Sequence, residues 1–291
     1  MSDGNSIVNL GDLTKPATVL IEKIAEATGA VFRPYQIRRL AKAEAEADKI
    51  KAVANIEITE LQQRGLQRFL NEQARQQENI ENITAQTIPE LTEGAKPEEI
   101  EDDWLAKFFN ECKLVSDSEM QSLWAKLLAG QANQPGTFSK RTIDFVSNLD
   151  KSDAQLFTSL CSFGWFFGGV FPLIYDVEHE IYKQKGINFQ TLTDLDAAGL
   201  IRFDGLAGFK IPGVKKIARI HYYGTPIHIE FQKDENNDLE IGNVVLTKIG
   251  RELAPICGSV QSDKFMEYII SEWQERGYLI SCPLPNRANA A

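Results

Sequence analysis

Phe189-Gln190-Thr191-Leu192-Thr193-Asp194-Leu195-Asp196-Ala197-Ala198-Gly199-Leu200-Ile201 and, further on, Leu246-Thr247-Lys248-Ile249-Gly250-Arg251-Glu252-Leu253 decide how the fold is read. In the first stretch Leu192 and Leu195 share one side of a short helix, Gly199 stops it, and Leu200-Ile201 opens a strand. Between the two stretches lie strand-like runs at 219–223, 227–231 and 239–246, separated by Gly and Asn/Asp turn signals. Helix, glycine stop, strand, wing, strand and a closing "LTxxGxxL" helix is the order of a winged-helix unit. A last helix is expected at Met266–Trp273 and a last strand at 278–281, leaving 285–291 as a loose tail.

Upstream the chain is helical. Thr18 to Ala27 carries Val19, Leu20, Ile21 and Ile24 as an apolar side and ends at Gly29. Pro34 suits a first helical turn, and from Tyr35 to about Ile83 there is no Pro and only one Gly, Gly65, among strong helix formers. One helix of ~50 residues, or two joined near Gly65, follows; unbroken it would reach ~75 Å. That is longer than a compact domain is wide, so part of it projects or packs on another chain. Ile37, Leu40, Ala47, Ile50, Ala54 and Leu61 repeat at a 3–4 spacing, which fits either a solvated hairpin arm or an oligomerising helix.

Residues 88–103 shift in composition. Pro89, Gly94 and Pro97 remove helix, and seven carboxylates face the single Lys96, as in an acidic linker. A helical block begins at Trp104. Ser116 with Glu119 matches a capping box, Met120, Leu123, Trp124, Leu127 and Leu128 form a buried face with Trp124 in the core, and further helices start at Ser139 and Ser152. The fold class is therefore mainly α with an α+β C-terminal part. Its expected divisions are a helical arm at 1–87, the acidic linker at 88–103, a central helical bundle at 104–173, a winged-helix-like domain at 174–284, and the tail at 285–291.

Composition limits the function. The chain has 291 residues, 43% of them hydrophobic and 25% charged, which is globular composition and allows about two domains. With 41 Asp and Glu against 31 Lys and Arg the net charge is −10, so any nucleic-acid surface must be a local patch. Arg202, Lys210, Lys215, Lys216 and Arg219 are such a patch, opposed only by Asp204, and on a wing they could reach phosphates. Against DNA reading, the helix that would enter the groove offers Gln190, Thr193, Asp194 and Asp196. A second basic cluster, Arg38, Arg39 and Lys42, opens the long helix and is the expected partner-contact surface.

The four cysteines, at 112, 161, 257 and 282, contain no CxxC pair and read as small buried residues. No phosphate-binding glycine loop, dinucleotide fingerprint, zinc-protease helix or nucleophile elbow is present, so no cofactor or metal is expected. His179 lies in the cluster Asp176-Val177-Glu178-His179-Glu180, and His221 and His228 are placed to face each other across a hairpin; each is a weak catalytic candidate. The uncharged stretch between Asp153 and Asp176 is broken by Gly164, Gly168, Gly169 and Pro172 and reads as a helix end and a buried strand, the alternatives being a membrane-touching segment or a partner surface. The polar N-terminus has no leader pattern, so the cytoplasm is the expected compartment.

Several segments together resemble a bacterial family of unknown function. These are Phe32-Arg33-Pro34-Tyr35-Gln36-Ile37-Arg38-Arg39 with residues 41–47, Arg75–Glu81, Asp102–Leu105, and Val115-Ser116-Asp117-Ser118-Glu119-Met120-Gln121-Ser122-Leu123-Trp124-Ala125-Lys126-Leu127-Leu128-Ala129-Gly130. The same order is similar, more distantly, to the abortive-infection alpha (Abi-alpha) proteins. The shared pattern is Leu127-Leu128-Ala129, Pro135, Phe138, Ile143, Leu149 and Asp153, then Leu192, Leu195, Gly199-Leu200-Ile201, Leu246-Thr247 and Gly250. The resemblance implies a bacterial cytoplasmic protein of phage defence and carries no catalytic residues over. The expected function is a non-enzymatic interaction or sensor component that associates with itself or another protein through its arm. The alternatives are a winged-helix DNA-binding regulator and an enzyme with an unrecognised site near His179.

Overall fold

The computed structural model describes residues 13–28 and 59–281. Tyr35, Arg38, Arg39, Lys42 and the first part of the expected long helix lie outside the described residues, as does the tail. Among the described residues the chain is mainly helical, with every strand in its C-terminal half. It divides into two compact units, the break falling between Asn148 and Leu149, inside the segment expected as one central helical domain.

The N-terminal unit contains helices α1 (Lys15–Thr28), α2 (Glu60–Thr87), α3 (Asp102–Cys112), α4 (Ser118–Asn133) and α5 (Lys140–Ser147). α1 buries Ala17, Leu20 and Ile24, the stripe that a 3.6-residue period requires. The core is aromatic: Trp104 stacks on Phe108 at 5.2 Å and Trp124 meets Phe108 edge-on at 5.1 Å. Buried amides are satisfied, since Asn79 Nδ2 donates to the Lys113 carbonyl (2.8 Å) and Gln121 Nε2 to the Val115 carbonyl (2.9 Å).

Two local expectations change here. The N-cap of α4 is Asp117, whose carboxylate accepts from the Glu119 and Met120 amides; a single fixed carboxylate at the cap serves both orphan N–H groups. The acidic linker is not loose chain. It forms 3₁₀ turns at Ile88–Glu90 and Pro97–Glu99, buries Ala95, Pro97 and Ile100, and is pinned to α4 by Lys96 N donating to Ala132 O (2.7 Å) and Asn133 Nδ2 to Glu90 O (3.0 Å). Its carboxylates stay outside while its apolar residues pack, which composition alone does not reveal.

The C-terminal unit runs α6 (Lys151–Cys161), β1 (Gly164–Phe166), β2 (Val170–Pro172), α7 (Glu180–Lys183), α8 (Phe189–Ala198), β3 (Ile201–Phe203), β4 (Phe209–Val214), β5 (Ile217–Tyr222), β6 (Thr225–Glu230), β7 (Asn237–Gly242), β8 (Val244–Leu246), α9 (Lys248–Leu253), α10 (Asp263–Glu275) and β9 (Leu279–Ser281). Its strands nest: β3 pairs β8, β4 pairs β7 and β5 pairs β6, all antiparallel. β5 and β6 also belong to a five-stranded sheet in the order β2-β1-β5-β6-β9. The uncharged stretch at 153–176 is the end of α6 and the β1–β2 hairpin, with Trp165 buried beneath Tyr222 and Trp273.

The "LTxxGxxL" stretch explains itself. Thr247 caps α9 by accepting from the Gly250 amide (3.1 Å) and donates to the Gly199 carbonyl (2.7 Å), locking α9 onto the α8–β3 turn. Gly199 at φ +88° ends α8 in the left-handed conformation. A Cβ at Gly250 would lie 2.1 Å from the Leu200 carbonyl oxygen, so only hydrogen fits. Leu253 closes the contact in the core.

Candidate functional site

A cavity of about 260 Å³ opens in the C-terminal unit where four segments converge. Cys161 from the end of α6, Phe166 from β1, His221 and Tyr223 from the β5–β6 hairpin, and Ser259 after α9 are among its walls. The hairpin turn is the organiser. Tyr222 pairs Thr225, leaving Tyr223-Gly224 as a two-residue loop with φ +44° and +86°, the geometry of a type I′ turn. Tyrosine is a strained occupant of that first position.

The two turn tyrosines clamp the segments on either side. Tyr223 Oη donates to the Cys161 carbonyl (3.2 Å) and hydrogen-bonds the Ser259 hydroxyl (2.6 Å). Tyr222 Oη donates to the Ser162 carbonyl (2.8 Å) and accepts from the Ser262 amide (2.9 Å). Thr158 Oγ1 adds a bond to the Cys257 carbonyl (3.0 Å). The end of α6 and the chain after α9 are thereby held together, and with them Cys161 and Cys257.

These two thiols interact. Cys161 is buried and Cys257 half-buried, and both are free. The hydrogen bond from the Cys161 thiol outweighs burial at Cys257 and lowers its pKa to about 6, with Ser259 and Thr158 adding in the same direction. Cys161 moves the other way, well above the usual thiol value, because it is buried and keeps its proton in a hydrogen bond to its neighbour. The pair is invisible to spacing rules because α8 and the whole nested sheet intervene. The one signal in the sequence was two cysteines just past expected helix ends.

The residues singled out beforehand sit elsewhere. The basic set is spread over three sheets and largely neutralised: Arg202 Nη1 is 3.8 Å from Asp196, Lys210 Nζ 2.5 Å from Asp238, and Lys216 Nζ 3.1 Å from Asp234. Lys215 is exposed between β4 and β5. His221 and His228 do not face each other: the register sets Arg219 opposite His228 and Pro226 opposite His221, and Arg219 Nε donates to His228 Nε2 (3.0 Å). His179 is the N-cap of α7, accepting from the Ile181 amide (3.2 Å) and stacking on Tyr268 at 4.4 Å. Among the described residues no cluster of three or more His, Cys, Asp or Glu could hold a metal ion, and no helix is long and apolar enough to cross a membrane.

On α2, no residue from Glu60 to Glu78 is buried, although Leu61 is 71% and Phe69 55% exposed. The charges along it pair within the helix, Arg64 with Glu60 and Arg68 with Glu72. Leu66 and Leu70 are half-buried, and Ile80 and Ile83 anchor the far end in the core.

The fold is thus that of a mainly helical protein with a β-rich C-terminal unit. The chain belongs to the family described as "Protein of unknown function (DUF2806)", whose model matches residues 63–270. That span takes in most of α2, the rest of the N-terminal unit from α3 on, and the C-terminal unit as far as α10. No curated protein and no solved structure matches the chain.

Proposed function

We propose that this protein is a non-enzymatic interaction component that assembles with copies of itself through its helical arm, in the setting of bacterial phage defence that the Abi-alpha resemblance implies. The observation that carries the reading is the unburied length of α2 with Leu61 and Phe69 set in solvent. Apolar side chains held on a rigid helix cost free energy in water, and a second helix removes that cost at about 25 cal/mol per Å² buried. Beside Leu61 and Phe69 the charges pair along the helix, Arg64 with Glu60 and Arg68 with Glu72, and so weigh little against association.

We read the C-terminal unit as a winged helix with an enlarged wing: α8 and α9 pack around the β3–β8 pair, and the nested β4–β7 and β5–β6 pairs form the extension. The reading in which it serves protein contact is supported by exposed Phe189, packed edge-on against Phe203, by exposed Leu206, and by acidic partners on Arg202, Lys210 and Lys216, three of the bases that DNA would need. The test is the mass of the Leu61→Lys/Phe69→Lys double variant by light scattering. Dissociation of an oligomeric parent to 32.6 kDa supports the arm. An oligomer of unchanged mass would place the contact elsewhere.

A further inference from the structure

We propose that Cys161 and Cys257 form a peroxide-reactive dithiol that closes to a disulfide, making the cleft under the β5–β6 turn a redox-modification site. Two cysteine-bearing segments converge here: Thr158, one turn before Cys161 on α6, donates to the Cys257 carbonyl (3.0 Å), and the two thiols are close enough to perturb each other. Both backbones are fixed from outside the pair: Tyr223 holds the Cys161 carbonyl, Thr158 holds the Cys257 carbonyl, and Ser259, two residues on, is tied to the same tyrosine. Cys161 lines a cavity of about 260 Å³, many times the volume of a peroxide molecule. The strained φ of Tyr223 has a reason under this reading, because a left-handed tyrosine is what places one hydroxyl between the two cysteine-bearing segments.

The chemistry balances with hydrogen peroxide as the named oxidant. The Cys257 thiolate attacks one peroxide oxygen, the O–O bond breaks, and the departing hydroxide takes a proton to become water, leaving Cys257 as a sulfenic acid. The Cys161 sulfur then attacks the Cys257 sulfur. The S–O bond breaks, the Cys161 proton leaves with the hydroxide as a second water, and the S–S bond forms. Two electrons pass from the two sulfurs to one peroxide. The low pKa of Cys257 assigns it the attacking role and the buried Cys161 the resolving role.

The experiment treats the full chain with a small excess of hydrogen peroxide, blocks remaining thiols with N-ethylmaleimide under denaturing conditions, and maps the peptides. The expected result is joint loss of label at Cys161 and Cys257, a cross-linked peptide pair, and reversal by a phosphine reductant, at a rate about tenfold or more above that of buried Cys112. In Cys161→Ser, and in Cys161→Ala as a second variant that keeps an apolar side chain, dimedone should trap sulfenic acid at Cys257. In Cys257→Ser, Cys161 should stay labelled. The proposal is overturned if both cysteines of the parent chain keep their label at the rate of Cys112, or if Cys257 links only to another cysteine. Should the Cys161 variants fail to fold, the parent chain's own labelling decides the matter.

Discussion

At the scale of single residues, the fold rests on close approaches that tolerate no substitution. Gly250 meets the Leu200 carbonyl where a methyl group would overlap it. Gly250→Ala is expected to cost about 3 kcal/mol or more, at or above the upper range for overpacking, with a visibly lower melting temperature; an unchanged melting curve would mean that α9 does not sit there. Cys257 supplies the second residue-scale prediction. Its pKa is lowered to about 6, and a thiol reacts as the thiolate, so alkylation by iodoacetamide should rise as pH increases through about 6 and then level off. A free thiol would keep gaining through about 8.5. Its titratable neighbours include Cys161 and Tyr223, and Cys161→Ala should move the midpoint upward by removing the hydrogen bond. By linkage, the Cys257 contribution to stability is fully present above the unfolded thiol value and is lost as pH falls toward about 6. Little of this was legible beforehand. The cysteines read as small buried residues, and that residues 161 and 257 are neighbours follows only from tertiary structure.

At the scale of elements, helices were readable wherever a period and a cap coincided. Leu192 and Leu195 lie buried on α8 and Gly199 ends it, as their spacing requires. The stretch holding the β1–β2 hairpin reads as one buried strand and β4 as none, because three- and six-residue pieces rich in Gly and Pro carry no alternation, and their pairing is set by long-range register. The histidines show the same limit: a hairpin was expected correctly, but its register puts Arg219 opposite His228. Two predictions belong here. Gly65 lies in an exposed part of α2 with open space around its Cα, so Gly65→Ala should stabilise the helix by about 0.5–1 kcal/mol, measured by thermal melting. For the sheet edges, each of Lys210 and Lys216 already has an aspartate. Duplex DNA should therefore give no salt-dependent anisotropy change with the parent chain; a change abolished by Lys215→Glu/Lys216→Glu would reinstate the nucleic-acid reading.

At the scale of the whole molecule, composition announced an acidic globular chain of about two domains, and two compact units are present among the described residues. The segment at 88–103 looks like a linker by charge yet packs by its apolar residues, and the break between the two compact units, after Asn148, falls between two short helices with no compositional mark. Family membership covers both units from residue 63 to 270, so the second half of the chain is no separate appendage. The account stands on assembly through the arm. Light scattering of the unmodified chain across a range of concentrations tests this most directly. It predicts a mass that is a multiple of 32.6 kDa, and a mass of 32.6 kDa held to the highest concentration would contradict it.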